Sequence, residues 1–317
     1  MSLPQAVQGG TALYWHSTMS RVLVHRASVA EVLLTAASPT GPDTIDVAAQ
    51  WPRGHSVFGC DLRGRHDPMV VLETMRQAGI CGAHLLYEVP SDAQFVMANI
   101  GYRWQDARAP LSPTAPADIT CRVSYEDLRR RRGAVDGFAV AGSFSHRGVV
   151  FAEAYGRGRI LSGPQFRALR SRRPMGDPAA QPPGEVRHLA PAVVGRRREE
   201  DVVIGVDEQG WVRVSPRHPA HPVYYDHPLD HVPGLLLAEA AQQAARLHTG
   251  WADRVLVECD VSSAAFTEPD LPASVECVTV GDECVDFVVR QGARVTAQGQ
   301  VRLSLSARDL HRVPDPR

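Results

Sequence analysis

The feature that most constrains what this chain can fold into is a motif that occurs twice. The first copy runs from Trp51 through Arg53, Gly54 and His55 to His66, Asp67 and Pro68, then Glu73, Arg76 and Gln77. The second runs from Tyr224, Tyr225, Asp226 and His227 to Asp230, His231, Val232, Pro233 and Gly234, then Glu239, Gln242 and Gln243. Each copy is a histidine loop, a proline that opens a helix, and a Glu-x-x-x-Gln inside that helix. Internal repetition of this kind sets the architecture, because each copy builds the same unit. Two similar domains are expected, with one or two sites at their junction.

The elements around the motif repeat as well. Asp67 and Pro68 start a helix to about Tyr87, with Asp67 as N-cap and Pro68 in the first turn. Pro233 to about His248 reads as a second helix, apolar nearly all round, which marks it as buried. Residues 43–51 alternate like a strand. Strands are also expected over 94–104, 117–126, 134–146 and 149–161, with turns at Arg132-Gly133, Asp136-Gly137 and Arg147-Gly148. In the second half they fall at 201–207, 210–215, 254–266, 272–281, 283–291 and 293–306. Residues 162–200 are dense in Pro and Arg and lose periodicity, as a linker does. The fold class is α+β: antiparallel sheets that each wrap a helix. The expected division is an N-terminal arm at 1–20, a first domain at 21–163, a linker at 164–198, a second domain at 199–310 and a tail at 311–317.

Composition narrows the chemistry. The 317 residues are enough for two domains, and 44% hydrophobic content supports filled cores. There is no lysine; all 34 basic residues are arginine, against 35 acidic ones. Schiff-base chemistry and a Walker A lysine are therefore excluded. Charge balance gives no sign of a nucleic-acid binder. None of the six cysteines forms a CxxC pair, and no cofactor is implied. The start lacks a signal pattern and no apolar run is long enough for a bilayer, so a cytoplasmic setting without membrane contact is expected.

The repeated residues suggest acid–base work. Glu239, inside an apolar helix, is costly to bury as a charge unless paired or protonated, and Glu73 holds the same place in the first copy. Burial is expected to raise such a carboxyl and suit it to general acid–base catalysis. The competing reading is a carboxylate that only pairs with an arginine. His55 and His227 lie in the loops before the helices, where an imidazole orients a carbonyl, moves a proton or bonds backbone. His66 and His231 stand directly before the helices, where a structural role competes with substrate binding. The histidines at 218, 221, 227 and 231 lack ligand spacing, so no metal is expected. The free N–H groups of the helix N-termini opened by Pro68 and by Pro233-Gly234 can hold an oxyanion, and Gly234 permits close approach. GHSVF at 54–58 departs from G-x-S-x-G at Phe58, so a serine nucleophile is poorly supported. The runs Arg129–Arg132 and Arg196–Arg198 read as solvated turns, with an acidic carrier protein as the alternative partner.

The text from His227 to Ala245 resembles the signature of hot-dog-fold dehydratases that act on acyl carrier protein. The full arrangement is more similar to the A-factor biosynthesis (AfsA) family of γ-butyrolactone signal synthases. The matching stretches are VHRASVAEVLLT (24–35), AAQWPRGHSVFG (48–59), GRHDPMVVLETMRQAG (64–79) and DHPLDHVPGLLLAEAAQQAAR (226–246). The resemblance covers nearly the whole chain, and the lysine-free composition agrees with an actinobacterial source. It implies a double hot-dog enzyme, two tandem hot-dog domains. Such enzymes transfer a β-ketoacyl group from the thioester of an acyl carrier protein to the hydroxyl of dihydroxyacetone phosphate. The ester then closes to a butenolide. The family's catalytic glutamates fall on Glu73 and Glu239. The geometry of dimeric relatives would pair His55 with Glu239 and His227 with Glu73.

Arginine would hold the phosphate. Arg76, one turn beyond Glu73, comes first, then Arg53 and Arg65; an ion pair with Glu73 is the competing role for Arg76. Gln77 and Gln243 join the expected substrate contacts. The runner-up is a hot-dog dehydratase or thioesterase acting on acyl thioesters. A third reading is a non-catalytic regulator that binds an acyl group or lactone. The chain is expected to work as a monomer or homodimer.

Overall fold

The computed structural model describes residues 12–62, 64–105, 110, 112–172 and 185–304. The expected tail at 311–317, residues 1–11 of the arm, 173–184 of the linker and the end of the strand at 293–306 lie outside the described residues. The chain divides into two compact units, Met1–Met97 with Arg108–Arg172, and Ala98–Ala107 with Arg173–Arg317.

In the first unit, strands β1 (Leu34–Gly41) and β2 (Thr44–Trp51) precede helix α1 (Met69–Tyr87). Strand β3 (Gln94–Trp104) follows, then β4 (Ala117–Arg131), β5 (Ala134–His146) and β6 (Val149–Leu161). The ladder order is β1-β2-β4-β5-β6, antiparallel throughout. β4 alternates buried and open positions from Ala117 to Tyr125, so one face packs on α1. The helix is buried along most of its length because the sheet wraps it. Full burial of Leu72 and Met75 contributes about 1.5–3 kcal/mol each. Trp51 donates its indole N–H to Thr74 at 2.9 Å, and Tyr125 donates to the Gly79 carbonyl at 2.7 Å. Gly82 makes that approach possible, since a Cβ there would sit 2.2 Å from the Tyr125 hydroxyl. The helix ends where Glu88 turns left-handed at φ 53°.

The second unit repeats the plan. Short strands β7 (Arg187–His188), β8 (Ile204–Val206) and β9 (Val212–Val214) precede helix α3 (Gly234–Thr249). Strands β10 (Val255–Ser263), β11 (Ser274–Val280), β12 (Cys284–Gln291) and β13 (Arg294–Ser304) follow. Their order is β10-β13-β12-β11-β9-β8-β7. Residues Asn99–Arg103 of β3, which count with this unit, pair with Glu258–Ser262 of β10. Gly250, left-handed at φ 72°, stops α3.

Several local expectations are corrected. Asp136-Gly137 is not a turn but part of β5; the irregularity lies opposite, where β4 shifts register around Asp127 at φ 48°. β1 was not foreseen because LTAASPTG is poor in strand formers and contains Pro39, which an edge strand tolerates. A helix, α2 (Gly163–Arg170), stands where only linker was expected, started by a Ser162–Gln165 capping box. The end of the arm is tied to the first unit: Tyr14 accepts from Thr35, Trp15 donates to Ile119, and Met19 donates to Leu34.

Candidate functional site

Each central helix carries a buried glutamate in a network that the two halves share. Glu73 on α1 is 1% exposed. Arg26 donates Nε to its Oε1 at 2.9 Å, and Arg76 donates Nε to Oε2 and Nη2 to Oε1, both at 2.9 Å. Gln77 adds its amide to Oε1 at 2.5 Å. The Gln77 amide also reaches the Glu31 carbonyl at 2.8 Å, and its Oε1 accepts the Leu33 N–H at 2.9 Å. Glu31 in turn accepts from His55 Nε2 at 3.2 Å. His55 Nδ1 receives the N–H groups of Val57 and Phe58 at 3.2 and 3.0 Å. Both ring nitrogens of His55 are thus used within its own half.

The second half reproduces this. Glu239 on α3 is 0% exposed. Arg196 donates Nε to Oε1 at 2.5 Å and Nη2 to Oε2, while the amides of Gln242 and Gln243 donate to Oε2 and Oε1. Gln243 accepts the Val203 N–H at 2.9 Å and donates to the Asp201 carbonyl at 2.8 Å. Asp201 pairs with His221 Nε2 at 3.3 Å, and His221 Nδ1 accepts the Val223 N–H at 3.3 Å. The structural counterpart of His55 is therefore His221. The sequence register that aligned His55 with His227 is corrected. His227 lies further along the loop, its side chain 40% exposed, with Nδ1 3.5 Å from Asp226.

Arg26, Glu31, Arg196, Asp201 and His221 were missed by the sequence reading. Arg196 is no solvated turn residue: its side chain is 7% exposed. A signal was present, since VHRASVAEVL (24–33) and VGRRREEDVV (194–203) share Val-x-Arg, an acid five residues after the arginine, and two apolar residues. His25 and Gly195 hold the same left-handed place, at φ 50° and 71°. Glycine is required at 195, where a Cβ would meet Arg246 Nε at 2.5 Å.

The halves differ in charge. Arg76 in the first half answers to Gln242 in the second, whose Oε1 accepts from Arg246 at 2.8 Å. Burial works against the charge on Glu73, but Arg26, Arg76 and the bonds from Arg76 and Gln77 outweigh it and hold the carboxyl at about 2. The expected upward shift of Glu73 is corrected. Arg76 is a quarter exposed, and among the described residues nothing bonds its Nη1.

The helix starts differ too. Asp67 accepts the Met69 N–H at 2.9 Å, so the opening of α1 already holds an anion. α3 begins at Gly234 with no side-chain cap. Of the other expected residues, Arg53 is exposed and donates Nε to the Ser112 carbonyl at 2.9 Å. Arg65 is committed to Asp61 at 2.6 Å. His231 bonds Asp230 at 2.8 Å and packs its edge on Phe266. His66 is buried at 3% exposure beside Trp51, Cys60 and Ser112, and burial pushes it down to about 4. Among the described residues no three His, Cys, Asp or Glu side chains converge as metal ligands would, and no helix is long and apolar enough to cross a membrane.

Two antiparallel sheets, each curled about a buried helix and pinned to it by an arginine–glutamate–glutamine network, define a tandem hot-dog protein. The chain belongs to the A-factor biosynthesis (AfsA) hotdog family, whose pattern matches residues 12–162 and 179–307. A 2-oxo-3-(phosphooxy)propyl 3-oxoalkanoate synthase from Streptomyces virginiae is 38% identical over 233 residues, 73% of this chain and 76% of its own. The synthase of the same name from Streptomyces coelicolor is 33% identical over 257 residues, 80% of each chain. Among solved structures, an acyl-ACP thioesterase from Bacteroides thetaiotaomicron overlaps 82% of this chain and 98% of its own, with TM-score 0.48 at 11% identity.

Proposed function

We propose that the protein transfers a 3-oxoacyl group from an acyl carrier protein thioester to the hydroxyl of dihydroxyacetone phosphate. The product is the 2-oxo-3-(phosphooxy)propyl 3-oxoalkanoate ester for which its relatives are named. The observation that carries this reading is the family match across both halves, with 38% identity to such a synthase. The ester then closes to a butenolide, the precursor of a γ-butyrolactone signal. The setting is cytoplasmic, in keeping with six cysteines that form no disulfide among the described residues.

In this reading Glu73 and Glu239 serve as fixed charges. Each is saturated by donors in the free protein, and Glu73 at about 2 is a weak base. Their work is to set the arginines and amides around them. Arg76, with Nη1 turned away from Glu73, takes the phosphate of the acceptor. The uncapped start of α3 at Gly234 supplies amides to the tetrahedral oxyanion.

The test is mass spectrometry of the protein with a 3-oxoacyl carrier protein and dihydroxyacetone phosphate. The expected result is the phosphorylated ester or its butenolide. Free 3-oxo acid released without acceptor would replace this reading with a thioesterase. An untouched donor in the presence of folded protein would remove the catalytic reading.

A further inference from the structure

Outside the paired carboxylate networks, the first half holds a nucleophile against a base. Cys60 and His66 face each other as an isolated antiparallel bridge just before α1. The Cys60 Sγ lies 3.4 Å from His66 Nε2. Cys60 donates its N–H to the Arg53 carbonyl at 2.8 Å, Asp61 donates to Arg65 at 2.8 Å, and the Arg65–Asp61 ion pair closes the bend. His66 is packed against the Trp51 ring. Its Nδ1 is buried near the Phe58 backbone without a well-formed hydrogen bond. With the proton on that side, the Nε2 lone pair is presented to the thiol.

Two groups compete for Nε2, the Cys60 thiol and the Ser112 hydroxyl at 3.1 Å. Ser112 is 3% exposed, whereas Cys60 is partly exposed. The other cysteines do not offer this arrangement. Burial pushes the thiols of Cys81, Cys121, Cys259 and Cys277 upward, and among the described residues none has an imidazole in bonding reach. A thiol paired with a histidine within bonding distance is the arrangement of an activated nucleophile.

We propose that Cys60 takes the acyl group from the thioester donor, with His66 as its base, and passes it to the acceptor hydroxyl. This rests on the acyl-transfer reading above. In the first step the Cys60 Sγ–carbon bond forms and the donor's carbon–sulfur bond breaks. The Cys60 proton moves to His66 Nε2 and on to the departing thiolate. In the second step the acceptor oxygen–carbon bond forms and the carbon–Sγ bond breaks. The hydroxyl proton returns through His66 to Cys60. No oxidant or reductant is needed. Burial keeps His66 neutral, so the resting pair is thiol and imidazole, and the proton leaves sulfur only as the new bond forms.

The test uses the full chain and the 3-oxoacyl carrier protein. Acid quenching before acceptor is added should show one acyl mass on the peptide containing Cys60, discharged by dihydroxyacetone phosphate. Initial rates should give the parallel double-reciprocal lines of a ping-pong reaction. Cys60→Ala should lose the adduct and at least ~100-fold in turnover with an unchanged melting temperature. His66→Gln should slow adduct formation. Should Cys60→Ala fail to fold, the near-isosteric Cys60→Ser decides by the same readouts. Intersecting lines, with a cysteine variant within about twofold of wild type, would overturn the proposal. A wild-type protein that makes no ester at all would instead fail the acyl-transfer reading.

Discussion

Arg196 grips Glu239 with both Nε and Nη2 while both side chains are buried, at 7% and 0% exposure. Two charges taken out of water this completely are stable only together. Removing one strands the other, which costs about 3–5 kcal/mol, whereas an apolar pair of similar volume is often neutral. Arg196→Met is therefore expected to lower the urea midpoint sharply. The double variant Arg196→Met with Glu239→Leu should recover most of the loss. A single variant as stable as its parent would show that the pair does not hold α3 to the 194–203 segment.

Acid should weaken the fold in two separate windows. The folded His66, at about 4 against an ordinary 6.5, refuses a proton that the unfolded chain accepts. Stability therefore falls as pH drops from 6.5 to 4, by roughly 3 kcal/mol, and this loss then levels off. Glu73, at about 2 against 4.5, contributes fully above pH 4.5, and its share of roughly 3 kcal/mol is lost as pH falls toward 2. Denaturation midpoints across pH should flatten in the upper window for His66→Gln and in the lower for Glu73→Gln. An unchanged upper slope in His66→Gln would mean that the ring is not held neutral.

The corrected register of the repeat makes its own prediction. His55→Ala and His221→Ala each leave a carboxylate and a backbone N–H without the imidazole, at a cost of about 1–3 kcal/mol. His227→Ala removes a surface side chain and should change stability by no more than about 0.5 kcal/mol. Thermal unfolding of the three variants separates these cases. Equal losses in His221→Ala and His227→Ala would restore the original alignment.

Both central helices were legible because Asp67-Pro68 and Pro233-Gly234 start them and the apolar runs continue for several turns. The long hairpin strands followed from alternation. β1 escaped because an edge strand has little need of strand formers, and α2 because its signal is one capping box in a Pro- and Arg-rich stretch. At the site, Glu73 and Glu239 were found, but not the arginines that hold them. Arg26 and Arg196 lie far from their partners in sequence, and a buried arginine looks like a solvated one until its carboxylate is placed. The shift of Glu73 was misread for the same reason: burial alone raises a carboxyl, and two arginines reverse the sign.

Arg76 separates substrate binding from structural support. Its Nε and Nη2 serve Glu73 while Nη1 has no partner among the described residues. The second half shows what glutamine does in this place, since Gln242 still donates its amide to Glu239. Arg76→Gln should therefore keep the carboxylate satisfied while removing the cation and its Nη2 bond to the Val24 carbonyl at 3.1 Å. A charge-assisted bond to phosphate is worth about 1.5–3 kcal/mol, so KM for dihydroxyacetone phosphate should rise by ~10- to 150-fold. Turnover at saturation should hardly change, because the phosphate is bound equally in ground and transition states. Dihydroxyacetone, which lacks the phosphate, should be used by the variant and the parent with the same kcat/KM. Steady-state kinetics with both acceptors makes the comparison. Parallel losses for the two acceptors would reduce Arg76 to an ion-pair partner of Glu73 and move the phosphate to another arginine, with exposed Arg53 the next to test.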